Sequence, residues 1–181
     1  MKALVRVIGI DDGFLDKTKK ESIIVGLISR IDGRIEGILS EKIRIDGLDC
    51  TQKIISMIQN SKFRQEIKIL FLHGVNFAGF NIADVHQLHG KLDVPIITCF
   101  KKFPDMKKIS KALSHIPQTK KRIKLIKKAG KINSFEGIYF QCAGITPEKA
   151  QTIIRKTRKY SLLPEPLRLA HMIASGITKP N

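Results

Sequence analysis

The sequence predicts an α/β fold in which a mixed five-stranded sheet, in the spatial order 3-2-1-4-5, is flanked by helices. Three observations carry this reading. The first third of the chain is a succession of strand-like apolar runs, two of them joined by the hairpin dipeptide Asp32-Gly33. Residues 67–102 read as strand, loop, helix and strand, a crossover unit with parallel strands. The remainder consists mainly of short amphipathic pieces, suited to lie as helices against a sheet.

In chain order, residues 4–10 alternate and then become continuously apolar before Asp11-Asp12-Gly13, so the first strand ends by presenting two carboxylates. Residues 22–29 and 35–45 complete an antiparallel meander. Gly47-Leu48-Asp49 opens a helix that ends near Asn60. The run Ile67, Ile69, Leu70, Phe71, Leu72 has the pattern of a strand covered on both faces. It stops at His73-Gly74. A glycine-containing loop follows, Asn81 stands where a helix N-cap would stand, and Val85, Leu88 and Leu92 repeat at helical spacing. Residues 94–100 give the fifth strand.

Helices are expected over 106–113 and 119–128, one more short strand over 137–142, and a helix from the N-cap Thr146 towards Arg158 with Pro147 at its first position. The last helix spans 164–177. The order of elements is that of the ribonuclease H-like fold. In that arrangement strands one and four are neighbours, which brings Asp11 and Asp12 beside His73.

The chain of 181 residues has the size of one domain, taken here as 1–181. The start meets two aspartates too early for a signal peptide, and no stretch has the roughly 18 apolar residues of a membrane span, so a cytoplasmic protein is expected. Cys50, Cys99 and Cys142 form no zinc-binding spacing and read as small buried residues.

Charge is more informative. Residues 1–90 carry 13 basic and 11 acidic residues, whereas 91–181 carry 20 and 5. Residues 101–131 alone hold 12 basic residues against Asp105. Such a footprint is that of a protein meeting a polyanion, nucleic acid above all; the competing reading is a lysine-rich solvated surface. Lys101, Lys102, Lys107, Lys108, Lys120, Lys121 and Arg122 are the candidate phosphate contacts.

Asp11 directly follows the first strand and is the first choice for a metal ligand, with Asp12 facing the other way. Alone, Asp-Gly would be read as a turn. Asp49, at the exit of the third strand, is either a ligand or a helix-dipole acid. His73 is either a histidine satisfied at a strand end or a metal or phosphate contact. Backbone N–H groups around Gly79 and Asn81 are candidates for an anionic oxygen or an extruded base. On the last helix Glu165, Arg168 and His171 are either a solvent-facing stripe or the closure of an active site, with Glu165 near a metal and Arg168 and His171 near phosphate.

VIGIDDG, the IDGLD segment, HGVNFAGFNIADV with LDVPIIT after it, and the terminal PEPLRLAHMIASG together resemble the archaeal endonuclease dU family, a distant branch of the endonuclease V superfamily. The resemblance covers essentially the whole chain. It implies a ribonuclease H-like fold and cleavage of DNA carrying a deaminated base, deoxyuridine in this branch, with Mg²⁺ or Mn²⁺. Asp11 matches the superfamily's first-strand aspartate, and Asp49 is the nearest carboxylate to its second acid. His73-Gly74 stands where the superfamily has Asp-Gly. The catalytic set implied is thus Asp11, Asp49 and His73, to which the reading of the last helix as the closure of an active site adds Glu165 and His171. The replacement of an acid by His73 motivates the competing reading of a non-catalytic nucleic-acid-binding protein that retains the fold.

Overall fold

A computed structural model of the chain describes residues 5–16 and 18–179. Its meander is β1 (Arg6–Asp12), β2 (Glu21–Arg30) and β3 (Ile35–Arg44), followed by α1 (Cys50–Gln59) and β4 (Ile67–Leu72). A small hairpin, β5 (Asn76–Phe77) and β6 (Asn81–Ile82), precedes α2 (Val85–Leu92) and β7 (Ile96–Phe100). Then come α3 (Met106–Leu113), α4 (Thr119–Lys128), β8 (Asn133–Phe135), β9 (Ile138–Ala143), α5 (Pro147–Thr157) and α6 (Glu165–Thr178). Leu4, the expected start of the first strand, lies outside the described residues.

Apart from the β5–β6 pair, the strands form one sheet in the order β3-β2-β1-β4-β7-β9-β8. The expected order 3-2-1-4-5 occupies its first five places, with β1 parallel to β4 and β4 parallel to β7. The sheet is larger than the expected five strands. β9 pairs antiparallel with β7, and the three-residue β8 pairs with β9. An unpaired edge on the strongly apolar β7 would leave buried backbone groups without partners, and β9 supplies them.

Strand alternation divides the core into two layers. Ile8, Ile10, Leu70, Leu72 and Ile96 pack with Ile54, Ile58, Val85 and Leu88 of α1 and α2. Val7, Ile69, Phe71, Ile97 and Cys99 face the opposite way, onto Ile153, Ile154 and Leu167 of α5 and α6. This division decides which helix each polar residue at the end of β1 meets. No helix among the described residues is long and apolar enough to cross a membrane.

Two local expectations are corrected. The residues after β4 fold back as the β5–β6 hairpin, and the N-cap of α2 is Asp84, whose carboxylate accepts from the backbone N–H groups of His86 and Gln87. Asn81 is a buried strand residue instead. Ala78 and Gly79 at the hairpin turn both have positive φ, 41° and 84°. Two consecutive left-handed residues make the kind of turn whose usual signature is Asn-Gly, and Ala-Gly conceals it.

Candidate active site and basic surface

Asp11 follows Val7 and Gly9 in pointing towards the α6 side of the sheet. Gly9 permits the encounter. A Cβ at that position would lie 2.4 Å from the carbonyl carbon of Pro166, so only glycine lets the first turn of α6 rest on β1. Further along, the backbone N–H of Phe14 donates to the Thr178 hydroxyl and fastens the other end of α6. His171, midway along the helix, is thereby held over the end of β1.

There Asp11 is 2 % exposed. Its Oδ2 lies 2.8 Å from His73 Nδ1 and 2.9 Å from His171 Nδ1. A carboxylate oxygen only accepts, so both imidazoles donate from Nδ1. The two rings stand edge to face, with centroids 5.8 Å apart. The hydrogen bond to Asp11 raises the His73 pKa above its ordinary value, against the opposing effect of burial. The three side chains each offer a ligand atom, all within 4.8 Å of one another.

Asp12 faces the other layer, as strand alternation requires. Its carboxylate accepts from the backbone N–H of Ala78 and holds the tip of the β5–β6 hairpin. Burial, and then the adjacent Asp11 charge, push the Asp12 carboxyl up to about 6. Asp46 grips the same tip from the other side. Its carboxylate accepts from the Phe80 N–H at 2.8 Å, and its own N–H donates to the Ala78 carbonyl at 2.9 Å. The sequence reading missed this latch; the signal available was a third Asp-Gly, Asp46-Gly47, at the exit of the third strand.

The remaining candidates are placed away from the cluster. The Asp49 carboxylate accepts from the Asn81 amide at 2.6 Å and the Arg44 N–H at 3.3 Å, and it is not among the converging ligand atoms. Asn81 is fully buried and spends its side chain on Asp49, the Arg44 carbonyl and the Cys50 N–H, so it offers nothing to a base. Gly79 is closed off by Asp46, whose Oδ1 would lie 2.4 Å from a Cβ there. The Phe80 N–H expected to receive an anion already serves Asp46. Glu165 is 5 % exposed and engages Arg168 through both carboxylate oxygens, at 2.6 and 2.8 Å. That pairing occupies the two side chains expected at metal and phosphate. Of the α6 stripe, His171 alone reaches Asp11.

Arg122 also differs from the expectation. It is 3 % exposed and donates to the carbonyls of Pro117, Asp46, Gly47 and Phe80, tying α4 to the β3–α1 turn and to the hairpin. A lysine-rich neighbourhood hid a structural arginine, because charge counting does not distinguish the inner face of a helix from the outer one. Lys101, Lys102, Lys107, Lys108, Lys120 and Lys121 are exposed, as a phosphate-facing surface requires. Beside His73 and below α3 and α4 lies a cavity of about 770 Å³, lined by Phe80, Ile82, Met106, Ile123 and Gln141 among others.

The comparisons with known proteins agree with this architecture. A crystal structure of a protein from Archaeoglobus fulgidus superposes with a TM-score of 0.91 at 36% identity, over 97% of this chain and 99% of that one. Endonuclease V of Ciona intestinalis, solved with a 24mer DNA containing an inosine followed by a ribo-adenosine, shares the fold at a TM-score of 0.61. Its identity is 14%, with 91% of this chain and 82% of that one covered. A UPF0215 protein of Methanopyrus kandleri is 37% identical over 99% of this chain and 94% of its own length. The model of the family described as Endonuclease dU matches residues 3–178, so the chain belongs to that family.

Proposed function

We propose that this protein is a divalent-metal-dependent endonuclease that cleaves DNA carrying a deaminated base, with deoxyuridine the first substrate to test. The observation that carries the reading is the convergence of Asp11, His73 and His171 at the ends of β1 and β4, from three separated parts of the chain. Family membership supports a nuclease, and the exposed lysines of the second half supply a surface for phosphates.

One carboxylate and two imidazoles make a mixed oxygen and nitrogen donor set for a divalent ion. Mn²⁺ suits that donor set better than Mg²⁺, which favours oxygen ligands throughout. Asp11, His73 and His171 would hold it. Such an ion supplies Lewis-acid polarisation of a phosphoryl oxygen and neutralises developing charge. Before an ion binds, Asp11 fixes the orientation of both imidazoles by accepting from their Nδ1–H groups. Asp12 and Asp46 hold the hairpin beside the cluster, and Glu165 keeps Arg168 in place on α6. An extruded base would enter the cavity next to His73, not the filled space around Gly79 and Asn81.

A labelled duplex with one deoxyuridine, incubated with chelator, Mg²⁺ or Mn²⁺, tests the reading. A metal-dependent nick that Asp11→Ala abolishes is expected. Salt-sensitive binding with no nick under any metal would instead favour the non-catalytic DNA-binding protein, for which His73 in the place of an acid is the motive.

A further inference from the structure

An aromatic group at the end of β7 has no part in the cluster around Asp11. Phe100 and Tyr139 are register partners on β7 and β9, with nearly parallel rings 6.2 Å apart between centroids. Phe103, three residues on, meets Tyr139 at 5.4 Å with its plane at 80°. Phe103 is 62 % exposed, the most open of three rings in contact, so the group presents an aromatic face to solvent. Lys101 and Lys102 precede Phe103, both exposed, and no acid occurs between Asp93 and Asp105. Asp105 is itself engaged in capping α3. Another acid does stand nearby, since Glu136 lines a cavity with Lys101 and Tyr139, but its carboxylate is taken up by Arg155 and Arg158. Lys102 and Pro104, on either side of the ring, also line the cavity that reaches His73.

A buried core satellite would not leave its outermost ring in water, and a protein partner of ordinary composition gives no account of the unbalanced lysines. A strand of nucleic acid accounts for both, since phosphates meet the lysines and a base covers the ring. The base must be unpaired. In a duplex its faces are already stacked, and a side chain reaches them only when the strand is open.

We infer that Phe103, braced by Tyr139 and Phe100 and flanked by Lys101 and Lys102, is a stacking platform for an unpaired nucleobase next to the cleavage site. This rests on the nucleic-acid reading above but requires neither metal nor lesion. It assigns the protein a preference for DNA with locally open bases, such as a single strand or a bulge, over a fully paired duplex.

The protein has no tryptophan and two tyrosines, Tyr139 and Tyr160, which makes the test direct. Tyr160 is 83 % exposed, so Tyr160→Phe leaves Tyr139 as the reporter without disturbing the core. In chelator, a single-stranded thymidylate oligonucleotide should quench Tyr139 emission, and an undamaged duplex should quench it less. Fluorescence anisotropy with the same oligonucleotides should show Phe103→Ala and Phe103→Leu binding the single strand at least about fivefold more weakly. Phe103→Trp should bind at least as well as the parent. The salt slope should be the same in all three, because stacking releases no counterions. Unchanged single-strand affinity in Phe103→Ala would overturn the proposal, as would Phe103→Leu binding like the parent. So would a change only in self-association, read by sedimentation. Because nothing is cleaved, a failed nicking assay leaves this result intact, and the reverse holds too.

Discussion

Replacing Asp12 by asparagine should stabilise the protein at neutral and alkaline pH and leave it little changed in acid. Burial and the Asp11 charge raise the Asp12 carboxyl from its ordinary 3.8 to about 6. A folded state that binds a proton more tightly than the unfolded chain loses stability as pH rises between those two values. The difference of about two pH units is worth up to about 3 kcal/mol at about 1.4 kcal/mol per unit. Some water reaches this half-buried group, so about 2 kcal/mol is the working figure. Asparagine keeps an oxygen for the Ala78 N–H, so the hairpin contact survives. For a chain of this length the gain corresponds to a melting temperature about 4–8 °C higher. Thermal and urea unfolding in chelator at about pH 4 and about pH 8 measure it. Adding Mn²⁺ at the higher pH should narrow the gap, because a cation at Asp11 offsets the repulsion that Asp12 feels. An Asp12→Asn protein less stable than the parent at about pH 8, or equally shifted at both pH values, would refute the reasoning.

Other perturbations reach the same site from different directions. His73→Asp replaces an imidazole with an oxygen ligand, so calorimetric titration should show Mg²⁺ binding strengthened relative to Mn²⁺. Gly9→Ala forces the start of α6 away from β1 and His171 away from Asp11; Mn²⁺ affinity should fall on the order of tenfold or more, with a lower melting temperature. Lys120→Ala with Lys121→Ala, leaving the buried Arg122 intact, should weaken binding to all DNA sequences alike. The log–log salt slope, followed by anisotropy, should become shallower by about 1.8 if both lysines meet phosphates. Arg122→Met strands four carbonyls and should cost about 3 kcal/mol or more in urea unfolding, an effect on stability and not on the salt slope.

The sequence by itself determined the periodic elements and their order. β4 is found at residues 67–72 and α4 at 119–128, as the apolar spacing indicates, and Thr146 caps α5 ahead of Pro147. It also placed Asp11 next to His73, because hairpins followed by a crossover leave few ways to order a sheet and right-handed connections remove most of those. Alternation along one strand was enough to send Asp11 and Asp12 to opposite layers. Only the tertiary structure decided which partners each polar side chain met. Asn81, Asp49, Glu165 and Arg122 read as available for chemistry because they are polar. They are spent on one another, on Arg168 or on backbone groups, and burial of a polar group is a property of packing that no local spacing encodes. The contact between His171 and Asp11 spans 160 positions. It depends on a glycine at position 9 that lets a helix backbone touch a strand, a close approach that becomes visible only once the two surfaces are in place.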